Sequence, residues 1–136
     1  MTASEVTEIN MQNILITGAN GQLGHCLQDF AQAKSNYHFF YTDVDTLDIC
    51  DKQQIQSFVE ANHINILLNA AAYTAVDQAE DNIEMAYKLN RDAVANLANI
   101  AATHQIYMIH ISTDYVFSGK SYLPYEENAP LEPTSI

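Results

Sequence analysis

The residues of this sequence with the clearest chemical potential are three glycines at three-residue intervals, Gly18, Gly21 and Gly24. An apolar run typical of a strand ends at Gly18, and an amphipathic helix pattern begins near Gln22. We expect Gly18 to allow a sharp exit from the strand, Gly21 to let a pyrophosphate approach the main chain, and Gly24 to let the helix pack closely. Unpaired amides at a helix start bind an anion without a basic side chain. The spacing predicts a phosphate-binding loop, although a purely structural turn would use similar glycines.

A carboxylate stands where a dinucleotide-binding sequence needs one. The second apolar run, Tyr37 to Thr42, ends in Asp43, which lies about 20 residues beyond the glycines. A carboxylate there accepts hydrogen bonds from the adenosine ribose, so the glycines and Asp43 together predict a dinucleotide-binding fold. A 2′-phosphate would meet like charge at Asp43, and no Lys or Arg lies between Lys34 and Lys52 to attract it. We therefore expect NADH to be favoured over NADPH.

Strand patterns alternate with helix patterns around these residues. The strands are expected at residues 13–17, 37–43, 64–69 and 107–112, and the helices at about 22–33, 51–62 and 75–105, with a break near Asp81-Asn82. The alternation predicts an α/β fold of Rossmann type, in which a doubly wound parallel sheet has right-handed crossovers. We expect about four strands in the order 3-2-1-4. The fourth strand would then be an uncovered apolar edge that favours self-association.

Length and charge limit the classes of function. The 136 residues suffice for one domain, which we place at residues 12–136 as an NAD(P)-binding domain, with residues 1–11 as a disordered extension. Five Lys and Arg against 17 Asp and Glu give a formal charge of −12, which argues against nucleic acid or an anionic membrane as a partner. Scattered histidines and cysteines indicate no metal site, and the lack of a signal-peptide pattern favours a cytoplasmic location.

The predicted strand ends should meet at one edge of the sheet. Ligands of parallel sheets bind beyond the carboxyl ends of the strands, so Gly18, Asp43, Ala72 and Thr113 are expected to converge. The small residues at 70–72 have two explanations: they let a planar ligand approach the backbone, or they let a strand and a helix pack tightly. Both explanations stay open at this point.

Three motifs give the sequence a more specific resemblance. They are TGANGQLG at residues 17–24, NAAAYTAVDQAE at residues 69–80 and STDYVF at residues 112–117. With them the chain resembles the extended short-chain dehydrogenase/reductases, and among these the dTDP-4-dehydrorhamnose reductase family. The likeness runs from Asn13 onward but covers only about the first half of a family chain. It implies the cofactor-binding part of a reductase that transfers hydride from NADH or NADPH to the 4-keto group of dTDP-4-dehydro-L-rhamnose, a dTDP-4-keto sugar.

The resemblance also implies roles for individual residues. The implied cofactor contacts are Gly21, Gln22 and Leu23 at the pyrophosphate, Asp43 at the adenosine ribose, Asp48 and Ile49 at the adenine, and Ala72, Tyr73 and Thr74 at the nicotinamide half; Gly18 and Gly24 of the glycine motif are also counted as cofactor-binding. Thr113 resembles the active-site hydroxyl beside the substrate carbonyl, and Asp114 resembles a substrate contact. Without the neighbouring motif, Thr113 would be interpreted as an ordinary strand-terminal cap.

One departure from the family concerns its proton donor. The family uses a Tyr followed four residues later by a Lys, and no Tyr of this chain has a Lys at that spacing. The tail at residues 130–136 resembles the segment just before that tyrosine, so we expect the chain as given to be inactive although the full-length protein would be a reductase. Two alternatives stay open: a nucleotide-sugar epimerase or dehydratase of the same superfamily, and a non-catalytic dinucleotide-binding subunit like the regulatory subunit of methionine adenosyltransferase.

Overall fold

The computed structural model describes residues 11–134, which form a four-stranded parallel sheet with helices between the strands. The strands are β1 (Gln12–Thr17), β2 (Tyr37–Thr42), β3 (Ile66–Asn69) and β4 (Tyr107–His110), and the helices are α1 (Gln22–Ala31), α2 (Lys52–Ala61), α3 (Val76–Asp81), α4 (Ile83–Tyr87) and α5 (Ala93–Thr103). This architecture confirms the predicted parallel α/β fold of Rossmann type. The extension predicted for residues 1–11 lies outside the described residues apart from Met11.

The strand order is β2-β1-β3-β4, so the predicted order 3-2-1-4 is wrong in the place of the third strand. In the observed register Leu15 of β1 pairs with Phe40 on one side and with Leu67 of β3 on the other. The reason lies in the second crossover, whose helix α2 buries Ile55 and Val59 in the same cluster as Leu15. A right-handed crossover with its helix on this face carries the chain from β2 back past β1.

The main hydrophobic core lies on that face of the sheet. Leu15 and Leu67 have no exposed surface, and α2 packs against α5 above them. The buried members of the cluster are Leu15, Leu47, Ile49, Ile55, Val59, Ile64, Leu67, Ala93, Leu97, Ile100, Ala101 and Ile106. The buried residues of α1, Gly24 and Ala31, are not in this cluster, in agreement with a first crossover over the opposite face.

The long helical pattern predicted for residues 75–105 is divided in the structure. Asn82 separates α3 from α4 with non-helical backbone angles, as the expected break required. Between α4 and α5 the helix widens into a π-helical segment, Lys88–Asp92, which the sequence pattern did not indicate. None of the helices in residues 11–134 has the length and apolar character that crossing a membrane requires.

Strand β4 forms one edge of the sheet, as predicted. Met108 contacts the core, whereas Ile109 points to the opposite face and is 50% exposed. A 3-10 turn at Asp114–Val116 follows the strand, and the described chain from there to residue 134 contains neither helix nor strand. This apolar edge is therefore uncovered by any other described element.

Candidate functional site

The carboxyl ends of β1, β2 and β3 border a cleft of about 440 Å³. From β1 the chain adds β2 on one side of the sheet and then β3 and β4 on the other side, so a topological switch point lies between β1 and β3. Open parallel sheets bind ligands at such a switch point. Predicted cofactor residues that line the cleft are Gly18, Gly21, Asp43, Asp48, Ile49 and Ala72. The cleft thus lies where three of the four predicted strand ends converge.

Gly18 is required by the geometry of the turn that closes β1. Its φ of +68° lies in the left-handed region, which a residue with a side chain rarely adopts. An added Cβ would also lie 2.6 Å from the backbone nitrogen and Cα of Ala71. At Gly24 an added Cβ would collide with the carbonyl of Ala19, so the start of the helix packs closely on the glycine loop. At Gly21 the nearest protein atom would be the Gly18 carbonyl oxygen at 3.3 Å, so this glycine leaves space beside the loop.

The first turn of α1 carries unpaired main-chain donors beside the cleft. Gly21 lies at the N-cap of the helix, and no side chain caps it. The amide of His25 donates to the Gly21 carbonyl at 3.0 Å, which begins the helical ladder. Among residues 11–134 the amides of Gln22 and Leu23 have no hydrogen-bond partner. These donors stand at the positive end of the helix dipole, which suits a phosphate.

Asp43 is held in place at the end of β2 by the main chain. Its Oδ2 accepts from the Asn20 amide at 3.0 Å, and its Oδ1 accepts from the Val44 amide at 2.8 Å. A carboxylate has about four lone-pair sites, so acceptor capacity remains for two ligand hydroxyls. The sequence motif indicated Asp43, but the bond that ties it to the glycine loop was not foreseen.

Asp48 and Ile49, the predicted adenine contacts, both line the cleft. Asp48 Oδ1 accepts from the Cys50 amide at 2.8 Å, which orders the short turn that carries both residues, and Ile49 is buried. Burial raises the pKa of the Cys50 thiol, and the nearby Asp48 carboxylate raises this pKa further. The Cys50 thiol, which packs against the core, is therefore protonated near neutral pH. Within residues 11–134 no three His, Cys, Asp or Glu side chains are grouped in a way that could hold a metal ion.

A buried amide joins the ends of three strands beneath the cleft. Asn69 has no exposed surface, and its Oδ1 accepts from the Thr17 hydroxyl at 2.5 Å and from the Ala71 amide at 3.2 Å. Since the Ala71 amide can only donate, the orientation of the Asn69 amide is determined. Its Nδ2 therefore donates to His110 Nδ1 at 3.0 Å, which requires the His110 proton to be on Nε2. Sequence reasoning treated Asn69 only as part of a motif and missed this role.

The remaining predicted residues lie outside the lining of the cleft. Gln22, Leu23 and Gly24 form the first turn of α1 beside it, and Tyr73 and Thr74 follow Ala72 along the chain. Lining residues that were not predicted include Thr17, Asn20, Val44, Leu47 and Leu89. Of these five residues, Thr17, Asn20, Val44 and Leu47 could have been predicted from the sequence, because each is adjacent in sequence to a predicted site residue.

Thr113 and Asp114 follow β4, are exposed and do not line the cleft. The Thr113 hydroxyl accepts from the Tyr115 amide at 3.2 Å and donates to Asp114 Oδ1 at 3.4 Å. Thr113 thus caps the 3-10 turn that follows β4. This is close to the interpretation of Thr113 as an ordinary cap at the end of a strand, which the sequence had left open. Its role as a hydroxyl beside a substrate carbonyl stays a prediction.

Comparison with known proteins gives a consistent picture. The family model described as the RmlD substrate binding domain matches residues 11–136. The chain is 39% identical over 126 residues to a dTDP-4-dehydrorhamnose reductase of Aggregatibacter actinomycetemcomitans, an alignment that covers 93% of this chain and 43% of that protein. The chain therefore spans less than half the length of this relative.

Solved structures resemble the chain closely. A dTDP-4-dehydrorhamnose reductase from Clostridium acetobutylicum superposes with a TM-score of 0.87 at 40% identity, covering 91% of this chain and 44% of that one. The corresponding enzyme from Bacillus anthracis, crystallised in complex with NADP, superposes with a TM-score of 0.87 at 36% identity and the same two coverages, 91% and 44%. Sequence identities of 36% and 40% together with these TM-scores indicate membership of the same family as well as the same fold.

Proposed function

The chain belongs to the RmlD substrate-binding domain family, and on that premise we propose that it is the cofactor-binding part of an NAD(P)H-dependent reductase. The proposed reaction reduces the 4-keto group of dTDP-4-dehydro-L-rhamnose to give dTDP-L-rhamnose. The observation that carries the proposal is the cleft itself, which Gly21 and the fixed carboxylate of Asp43 both line, with the unpaired amides of Gln22 and Leu23 in the first helical turn beside it. The names of its relatives add support, since those with 36% to 40% identity are dTDP-4-dehydrorhamnose reductases.

In this proposal the cofactor lies across the carboxyl ends of the strands. The amides of Gln22 and Leu23 donate to the pyrophosphate, and Asp43 accepts from the adenosine ribose. Asp48 and Ile49 form the wall beside the adenine. A bound nicotinamide cofactor supplies the hydride.

The reacting end of the cofactor is assigned to the segment that follows β3. Ala72, Tyr73 and Thr74 line the nicotinamide half, Thr113 positions the oxygen of the sugar carbonyl, and Asp114 contacts the substrate. No residue of this chain is assigned to protonate the oxygen, because no Tyr has a Lys four residues later. The chain by itself therefore lacks a complete catalytic set.

NADH is the preferred cofactor in this proposal. The Asn20 and Val44 amides hold the Asp43 carboxylate, so it can move away from a 2′-phosphate only by breaking two hydrogen bonds. A relative has been crystallised with NADP, so this preference is proposed for this chain and not for the family. Titration of the purified chain with NADH and NADPH tests it. Equal or tighter binding of NADPH would contradict the preference, and failure to bind either would contradict the cofactor role.

The reaction is tested with a chimera in which this chain replaces the matching 43% of the A. actinomycetemcomitans relative. We expect dTDP-L-rhamnose to form from dTDP-4-dehydrorhamnose as NADH is consumed. A 4-keto epimer or a dehydrated sugar, formed without consumption of added NADH, would instead favour an epimerase or dehydratase. Cofactor binding without any turnover in a folded chimera would favour a non-catalytic dinucleotide-binding subunit.

A further inference from the structure

Strand β2 is the second edge of the sheet, and among residues 11–134 no strand pairs with it on the side away from β1. It is six residues long and pairs with β1 residue by residue, without a bulge. The strand contains no Lys, no Pro and no acidic residue. Natural proteins use short strands, bulges, Lys or Pro to keep an exposed edge from pairing with another chain. Strand β2 has none of these protections.

The main-chain groups of β2 point alternately to β1 and to the open edge. The Asn36 carbonyl accepts from the Gln12 amide at 3.4 Å, and the Thr42 carbonyl accepts from the Ala19 amide at 3.0 Å. Successive residues of a strand direct their main-chain groups to opposite sides, so the even-numbered residues of β2 bond to β1. The residues whose amide and carbonyl point to the open edge are therefore Tyr37, Phe39 and Tyr41.

The same three residues carry aromatic side chains on one face of β2, and we call them the aromatic stripe. The ring centroids of Tyr37 and Phe39 are 6.0 Å apart, and those of Phe39 and Tyr41 are also 6.0 Å apart. Tyr37 is 42% exposed and Tyr41 is 37% exposed, whereas Phe40 packs against the core on the opposite face. The stripe is symmetrical about Phe39, because a Tyr lies two residues away on either side.

The chain around the stripe lacks the negative charge that dominates the rest of the sequence. Residues 30–42 contain no Asp or Glu, although the whole chain has 17. Lys34 lies just before β2, whereas Asp43 and Asp45 follow the strand. In an antiparallel pair of β2 strands, the start of one strand lies beside the end of the other. Lys34 of each copy would then lie near carboxylates of the other copy, which favours association of two copies.

We propose that β2 is an interface through which two copies of this chain pair, with their β2 strands antiparallel about a twofold axis at Phe39. A twofold axis requires a surface that is complementary to itself, and the symmetrical stripe meets this requirement. Phe39 faces Phe39 of the second copy, and Tyr37 faces Tyr41. All three residues direct their amides and carbonyls outward, so each facing pair exchanges two hydrogen bonds. The facing aromatic side chains contribute further to the stability of the pair.

The test uses chains in which the other edge of the sheet is blocked, because β4 is also expected to self-associate. Every chain therefore carries Ile109→Lys, which places a charge on β4. The Lys chain adds Tyr37→Lys and Tyr41→Lys, and the Glu chain adds Tyr37→Glu and Tyr41→Glu. In the proposed pairing, either chain alone places like charges opposite each other. The matched control adds Tyr122→Lys and Leu123→Lys, two exposed residues outside the sheet.

Sedimentation over a range of concentrations measures the dissociation constant of the dimer. We expect Ile109→Lys and the control to form a dimer of twice the 15.2 kDa chain mass. The Lys chain and the Glu chain should each dimerise about tenfold more weakly or worse. The Lys chain is less negative overall, so net charge does not account for a weaker association. An equal mixture of the two chains should recover association, because a Lys then faces a Glu in every substituted pair.

Hydrogen exchange gives a second readout in the Ile109→Lys chain. The amides of the aromatic stripe should exchange more slowly as the protein concentration rises through the dissociation constant. The amides of His38 and Phe40, which point to β1, should exchange at the same rate throughout. This inference would be overturned by an Ile109→Lys chain that stays monomeric, by a Lys chain that dimerises as tightly as the control, or by a mixture that associates no better than its components. Each of these results would leave the proposed function standing.

Discussion

At the scale of single residues, Asp43 illustrates how one side chain can serve the fold and a ligand together. Its carboxylate accepts the Asn20 and Val44 amides, so it fixes the glycine loop relative to the end of β2. The same carboxylate lines the cleft. Replacing Asp43 by Asn removes the charge and nearly keeps the shape, but only one of the two main-chain amides then keeps an acceptor.

We predict that Asp43→Asn weakens the preference for NADH. A carboxylate and a phosphate in contact repel each other by up to about 4 kcal/mol at an effective dielectric constant near 20. Removing the charge should improve the affinity for NADPH relative to NADH by about tenfold or more. Titration with both cofactors measures the ratio, and Asp45→Asn, an exposed change in the same loop, should leave it unchanged. A constant ratio in Asp43→Asn would refute the role of the carboxylate.

Gly18 and Gly119 allow backbone strain to be separated from steric overlap. Both have a positive φ, +68° and +71°, but an added Cβ at Gly119 would meet no atom within 4 Å. We predict that Gly119→Ala costs about 1–2 kcal/mol of the free energy of unfolding, the cost of a left-handed residue. Gly18→Ala should cost more, because its Cβ also overlaps Ala71. Denaturant unfolding of both variants measures the difference, and equal costs would show that the overlap relaxes freely.

At the scale of elements, the structure shows how local bonds set the limits of a helix. Asp51 is the N-cap of α2, and its Oδ1 accepts from the Gln53 and Gln54 amides at 2.9 and 3.1 Å. Hydrogen bonding from the Gln54 amide is the main cause that holds the pKa of Asp51 below its ordinary value. The cap matters for the site because α2 buries Ile55 and Val59 in the core under the strands that end at the cleft.

We predict that Asp51→Ala lowers the melting temperature near neutral pH and that the difference shrinks in acid. A carboxyl with a depressed pKa stabilises the folded state above its unfolded pKa, and this stability disappears as the pH falls through the folded pKa. The affected range therefore begins near the ordinary Asp value of 3.8 and extends below it. Asp51→Asn is the control, since an Asn caps a helix without this pH dependence. Melting curves of the original chain, Asp51→Ala and Asp51→Asn between pH 2 and pH 7 test this prediction. A difference in melting temperature between the original chain and Asp51→Ala that stays the same in acid would show that the ionised carboxylate is not the source of the capping stability.

At the scale of the whole molecule, the exposed edge of the sheet and the negative charge act against each other. Tyr107 of β4 is 80% exposed and Ile109 is 50% exposed, which leaves an apolar strand able to pair with another chain. The formal charge of −12 opposes such pairing through repulsion between copies. Added salt screens this repulsion over about 8–10 Å at 0.10–0.15 M.

We predict that the purified chain self-associates through β4 and that association increases with salt. Ile109→Lys should shift it toward the monomer of 15.2 kDa, because a charged residue on an edge strand discourages pairing. Tyr122→Lys is the matched control, since it adds the same charge at a fully exposed residue outside the sheet. Sedimentation over a range of concentrations measures the effect. A folded chain that stays monomeric at every concentration and salt level would contradict this prediction.

We also predict that the chain of 136 residues does not reduce dTDP-4-dehydrorhamnose. Removing one positioned proton donor commonly costs about 10²- to 10⁴-fold in rate, and this chain has no Tyr with a Lys four residues later. The rate of NADH oxidation with the sugar present should equal the rate without it. Turnover by the purified chain would mean that one of its own residues is the proton donor.

The sequence alone was sufficient wherever the controlling interaction is local. The number of strands, the break at Asn82, the need for Gly18 and the carboxylate at Asp43 all follow from apolar period, backbone conformation or motif spacing over short stretches of chain. The same patterns located the cleft at the strand ends. Residues given roles only by motif, such as Thr113, could be placed on an element but not in the cleft.

The tertiary structure decided everything that depends on contacts between distant residues. The strand order follows from the face on which α2 buries Ile55, and a crossover to either side of β1 satisfies the same apolar pattern. The bond between Asn69 and His110 spans 41 residues, and the bonds between Asn90 and Tyr73 span 17. No local period specifies such pairs, because a polar side chain has many possible partners until packing brings one of them within hydrogen-bond distance.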